Sequence, residues 1–110
     1  MTTQIIEALE AAIVILNEEY ARSCPNTAGS MKIKLELEVG GVWGRIVRAE
    51  YWKGQEKANA RSAFGFIKME DNTIWKAAGW KAPAKNKHRG VLADLHDANK
   101  IKRCWVYGIQ

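Results

Sequence analysis

The sequence predicts an α+β fold: one N-terminal helix packed on an antiparallel meander sheet of about five strands, with a barrel-like closure as its limiting form. Three observations predict it. Apolar residues recur at helical spacing as far as residue 20. From residue 31 the period falls to two. Beyond that, short apolar runs alternate with turns rich in Gly, Asp and Asn. A length of 110 residues suits a single domain, 1–110, divided into a helix (1–23), a linker (24–30) and a basic, β-rich remainder (31–110).

In the helix, Ile5, Leu9, Ala12, Ile13, Leu16 and Tyr20 form the packing face. Gln4, Glu7, Glu10, Asn17 and Glu18 lie largely opposite. Thr2 or Thr3 can cap the first turn, and Arg22 suits the C-terminal end of the dipole. Ile6, Val14 and Ile15 widen the apolar stripe, so the expectation of a helix covering a sheet has self-association as its alternative. Pro25 stops the helix and "CPNTAGS" connects it onward.

"MKIKLELEV" then places Met31, Ile33, Leu35, Leu37 and Val39 on one face and Lys32, Lys34, Glu36 and Glu38 on the other. The two glutamates read as part of a solvated strand face. Gly40-Gly41 turns the chain into a second strand, "WGRIVRAEYW". A basic polar loop follows over 53–62. "AFGFIKM" and "TIWKAA" form a hairpin across "EDN", because Asp and Asn tolerate turn geometry. "GWKAPAKNKHRG" reads as a long loop, "VLADL" as a short strand, "DANK" as a turn and "RCWVYGI" as a last strand.

Charge is uneven along the chain. Residues 1–30 carry four acids and one base; residues 31–110 carry sixteen bases and eight acids. The basic part therefore favours polyanions. The longest apolar run, Ala11–Leu16, has six residues, too short for a bilayer, and no secretion signal is evident. A cytoplasmic location is expected, with no membrane partner and with Cys24 and Cys104 as reduced thiols.

"IWKAAGWKAPAKNKHRG", residues 74–90, holds five Lys or Arg, two Trp and no acid. Lys76, Lys81, Lys85, Lys87 and Arg89 can follow a phosphate backbone, and Trp75 and Trp80 can stack on bases. Arg45, Arg48, Lys57 and Arg61 form a second basic bank. In a regular strand Phe64 and Phe66 share one face with Lys68, suited to stacking on unpaired bases; their alternative is burial beneath the helix.

"AFGFI", residues 63–67, resembles the RNP1 strand of cold-shock domains, with Ala63 where that family usually has Gly. The resemblance implies that Phe64 and Phe66 stack on bases. "WKAPAK" followed by "RG", within residues 62–91, is similar to a segment of small uncharacterised bacteriophage proteins. That likeness implies a phage or prophage origin, hence the host cytoplasm, and no catalytic role.

No catalytic constellation stands out. Asp94, His96, Asp97, His88 and Cys104 have no metal-ligand spacing. No phosphate-cradling Gly-rich loop or nucleophile elbow occurs. No cofactor is expected. The expected function is non-catalytic binding of nucleic acid, single-stranded or structured, since no basic helix suits the major groove. The alternative partner for the same surface is an acidic host protein.

Overall fold

The helical spacing materialises as α1, Thr2–Ser23, in the computed structural model, which describes residues 2–25, 30–57, 60–84, 88–103 and 108–109. Ile5, Ala8, Leu9, Ala12, Leu16 and Tyr20 are buried. Ile6 and Val14 remain exposed. Thr3 lies inside the first turn and does not flank it. Arg22 pairs with Glu19 one turn back.

Asn17 departs from the polar side on which sequence placed it. Its Oδ1 accepts from the Ile33 N–H at 2.9 Å, and its Nδ2 donates to the Ile33 carbonyl at 2.9 Å and the Ile13 carbonyl at 3.0 Å. One side-chain amide thus pairs with the edge of the sheet as a neighbouring strand would. Backbone groups at an edge need such partners or water.

Five antiparallel strands follow: β1 (Met31–Val39), β2 (Trp43–Trp52), β3 (Ala60–Lys68), β4 (Thr73–Trp75) and β5 (Gly90–Val91). They lie in chain order, β1-β2-β3-β4-β5. Pairing ends at β1 and β5, so the sheet is open and no barrel forms. The Gly40 N–H donates to the Trp43 carbonyl at 2.9 Å and closes the β1–β2 turn. Asn72, at φ +58°, closes the β3–β4 turn, and Asp71 Oδ1 accepts from the Thr73 N–H and hydroxyl.

Residues directly opposite across an antiparallel pair share a face. Ile33, Leu35 and Leu37 face α1 together with Ile46, Phe64, Ile67 and Ile74. The register puts Arg48 opposite Leu35, on this same side. Arg48 is buried there and donates to Glu50 Oε1 at 2.6 Å, so it does not belong to a basic surface bank.

β3 carries the main surprise. Ile46 pairs with Gly65 but Val47 pairs with Ala63, which leaves Phe64 as an extra residue in a bulge. A bulge breaks the period of two. Phe64 joins the core under α1, 1% exposed, while Phe66 lies opposite Arg45 on the other face, 4% exposed. The two rings do not share a face.

The C-terminal part fixes this bulge in place. The Ile109 N–H donates to the Phe64 carbonyl at 2.7 Å. Gly108 has φ +79°, and a Cβ there would sit 2.5 Å from the Phe64 oxygen. A Cβ on Gly65 would sit 2.6 Å from Ile109 Cγ1. Gly108 is required by the close approach of the Phe64 backbone, and Gly65 makes room for the Ile109 side chain.

"VLADL" is strand only at Val91; Leu92–His96 form a 3₁₀ turn, with Leu95 buried. Asp94 Oδ2 accepts from the Val91 N–H at 2.9 Å and starts that turn. "DANK" opens a helix, α2 (Ala98–Lys102), because Asp97 Oδ1 accepts from the N–H groups of Asn99 and Lys100. α1 packs against β1, the 3₁₀ turn and α2. The expected strand "RCWVYGI" and the thiol of Cys104 fall largely outside the described residues. No helix among the described residues is long and apolar enough to cross a membrane.

Candidate nucleic-acid interface

α1 covers one face of the sheet, and the chemistry gathers on the other. Lys34 and Glu36 from β1, Arg45 and Tyr51 from β2, and Arg61 from β3 stand there by register. Arg61 belongs to the strand, because β3 begins at Ala60, three residues earlier than the sequence suggested.

The segment after β4 is a small folded lobe and not an open loop. Ala77 bridges to Pro83, the Ala84 N–H donates to the Lys76 carbonyl at 2.7 Å, and the Ala78 N–H donates to the Ala82 carbonyl at 3.0 Å. Pro83 is buried. This arrangement brings Trp80 to the tip and lays it on the sheet. Its carbonyl accepts from Arg45 Nη1 at 3.0 Å. The Arg45 guanidinium lies over its ring at 4.1 Å from the centroid, with that of Arg61 at 5.8 Å. A planar cation on the face of an indole is attracted by the ring quadrupole.

Glu38 holds these arginines. Arg45 Nε and Nη2 donate to its Oε1 at 2.8 and 2.6 Å, and Arg61 Nη2 donates to Oε2 at 3.3 Å. The Arg45 hydrogen bonds, helped by Arg61, hold the Glu38 carboxyl below its ordinary range despite slight desolvation. Glu36 adds a second contact to Arg61 at 3.8 Å. Lys34 stands over the Tyr51 ring at 5.0 Å, and the Tyr51 hydroxyl donates to Glu36 at 3.4 Å.

The sequence-derived site residues divide sharply. Trp80, 38% exposed, is brought together with Arg61, Arg45 and Lys81. Lys76 sits exposed at the base of the same lobe. Trp75 is half-buried; it meets Trp43 edge-on at 5.3 Å, and its Nε1 donates to the Thr73 hydroxyl at 2.7 Å. Those contacts make Trp75 a wall of the surface. Phe64 is in the core and cannot stack on a base. Phe66 is covered, so its ring lies beneath the surface and offers no stacking face. Arg89 is placed elsewhere, beside Lys100 and Arg103 at a cavity of about 220 Å³ floored by Ile74, Leu95 and Ile101. Lys57 is exposed at the far end of the β2–β3 connection. Lys85 and Lys87 lie outside the described residues.

Glu38 is the residue that sequence reasoning missed. The Gly40-Gly41 signal marks the hairpin but not its register: the turn residues are Gly41 and Val42, closed by the Gly40–Trp43 pair, and only this register sets Glu38 opposite Arg45. Among the described residues, no group of three or more His, Cys, Asp or Glu is placed to hold a metal ion. Asp94 instead accepts from Lys100 at 2.8 Å, and Asp97 caps α2.

Comparison with curated proteins and with solved structures gave no match. A family model does match, over residues 1–108. The chain thus belongs to a family of unknown function, DUF7717.

Proposed function

We propose that the protein binds single-stranded nucleic acid, without catalysis, on the face of the sheet opposite α1. One observation carries the reading: an exposed Trp80 ring is pre-positioned on Arg45, with Arg61 at 5.8 Å from its centroid and exposed Lys76 and Lys81 in the same lobe. A held indole can stack on any base, and neighbouring cations neutralise the phosphates on either side. The carboxylate of Glu38 fixes Arg45, so little side-chain freedom is left to lose on binding. Duplex readout is disfavoured, because α1 carries four acids against one base and α2 has five residues. The likeness of residues 62–91 to phage proteins supports a phage origin and action in the host cytoplasm.

An acidic host protein is the second reading. Exposed Val39 and Val42, which line a cleft with Arg45 and Lys81, favour it, since apolar residues around Arg anchors are common at protein interfaces.

Anisotropy of a fluorescent single-stranded pool across a salt series tests the proposal. The parent should bind at micromolar or tighter concentrations, weakening with salt. Replacing Lys76 and Lys81 by Ala should make the salt slope shallower by roughly 1.4, from about 0.7 per lost phosphate contact on a single strand. A folded parent that ignores every oligonucleotide at low salt overturns the reading and directs attention to the host protein.

A further inference from the structure

At the end of β2 far from Trp80 lies a second cleft, of about 670 Å³, lined by Lys32 and Lys34 from β1 and by Tyr51, Trp52, Lys53 and Glu56 from β2 and the turn after it. Backbone bonds shape it. The Lys53 N–H donates to the Ser30 carbonyl at 2.7 Å and the Gln55 N–H to the Trp52 carbonyl at 3.0 Å, closing a turn with Gly54 at φ +84°. Contacts run unbroken from Trp80 to this cleft. Arg61 stands 5.8 Å from the Trp80 centroid and 3.8 Å from Glu36, the Tyr51 hydroxyl donates to Glu36 at 3.4 Å, and Lys34 lies over the Tyr51 ring at 5.0 Å. The cations at the two ends differ. Arg45 and Arg61 are tied to Glu38 and Glu36, whereas exposed Lys32, Lys34 and Lys53 form no ion pair among the described residues. Three uncompensated lysines against Glu56 attract an anion.

Resting on the nucleic-acid reading, we infer that the strand stacked on Trp80 also crosses this cleft, where Lys32, Lys34 and Lys53 neutralise its backbone phosphates. Spacing favours a strand over an isolated phosphate. Lys32 and Lys34 are two residues apart on one face of β1, about 7 Å, which is the separation of successive phosphates along an extended strand. The same face of β1 continues through Glu36 to Glu38, which holds the arginine that carries Trp80. Tyr51 lies six residues from Arg45 along β2, so the two subsites are about 20 Å apart. A trinucleotide has two phosphate intervals, about 14 Å at the same spacing, and reaches only one subsite. A strand of six or more reaches both, and the second subsite then binds at the high effective concentration that linkage supplies.

Fluorescent oligothymidylates of three and twelve nucleotides, titrated by anisotropy across a salt series, test this. The parent's salt slope should be steeper on the dodecamer than on the trimer by roughly 2, from about 0.7 for each of three phosphates. Changing Lys32, Lys34 and Lys53 together to Ala should remove that difference and leave the trimer's slope as it was. Lys34→Gln alone should remove about 0.7 of it, which keeps the test intact if the triple variant unfolds. Lys102→Ala with Arg103→Ala, exposed at the end of α2, should keep the parent's dodecamer slope. A lysine variant with the parent's dodecamer slope, an equal loss on the trimer, or a like loss in the α2 variant overturns the second subsite and leaves the nucleic-acid reading standing. Failure of both oligonucleotides to bind a folded parent at low salt overturns both.

Discussion

Replacing Asn17 by Ala removes the partner that the edge of the sheet has at Ile33 among the described residues. The Ile33 N–H and carbonyl both bond to the Asn17 amide at 2.9 Å. Each loses a hydrogen bond in a half-covered position, at about 1 kcal/mol apiece. Alanine returns about 0.5 kcal/mol through better helix propensity. The net loss is about 1.5 kcal/mol, or roughly 6 °C in Tm for a chain of this size. Urea and thermal unfolding followed by circular dichroism measure it. Asn17→Asp supplies an internal check. Its carboxylate still accepts from Ile33 N–H but faces the Ile33 and Ile13 carbonyls with no donor. That variant should be the weaker of the two at neutral pH and recover as acid protonates it. An Asn17→Ala protein that unfolds at or above the parent's temperature would refute the reasoning, because propensity alone would then account for the position.

Gly108→Ala must place a Cβ 2.5 Å from the Phe64 oxygen at φ +79°, so a loss of more than about 2 kcal/mol is expected in the same unfolding assay. Trp80→Ala should weaken single-strand binding by about 5- to 150-fold, from ~1–3 kcal/mol per stacked base, while Trp80→Phe keeps part of it; an unchanged affinity in Trp80→Ala would count against the stacking role. Glu38 gives a pH signature. Its carboxyl is held low in the fold, so its contribution to stability is present above the unfolded value and is lost as pH falls through the lower, folded one. The stability gap between parent and Glu38→Gln should therefore be widest near neutrality and close in acid, below about pH 4. A gap that holds constant down the acid limb would show that Glu38 gains nothing from its arginines.

The sequence made α1 and β1 legible because each repeats a single period over many residues. β2 was harder. "RIVRAEYW" is apolar at both parities, so nothing local says that Arg48 points toward α1 while Arg45 points away. The register with β1 decides it, and register is a property of two strands. The same limit hid Glu38, whose meaning depends on what stands across from it. Asn17 read as a surface residue because the helix pattern cannot show where the end of a sheet passes. In "VLADLHDANK" the helical turns were within reach: Asp94 and Asp97 are both residues of a kind that begins helices, but the runs were too short for a period to show. Trp80 and its cations were visible as composition. Their meeting with Arg45 required the Ala77–Pro83 bridge, which no spacing announces.

The extra residue at Phe64 divides β3 into two segments that obey opposite parity rules. Upstream of it, odd-numbered positions such as Ala63 face away from the helix; downstream, even-numbered positions such as Phe66 do. A descendant that deletes Phe64 would restore regular pairing, with every neighbouring residue keeping its partner and its layer, and would lose one ring from the core. The bulge therefore adds a core side chain to β3 without altering either surface of the sheet.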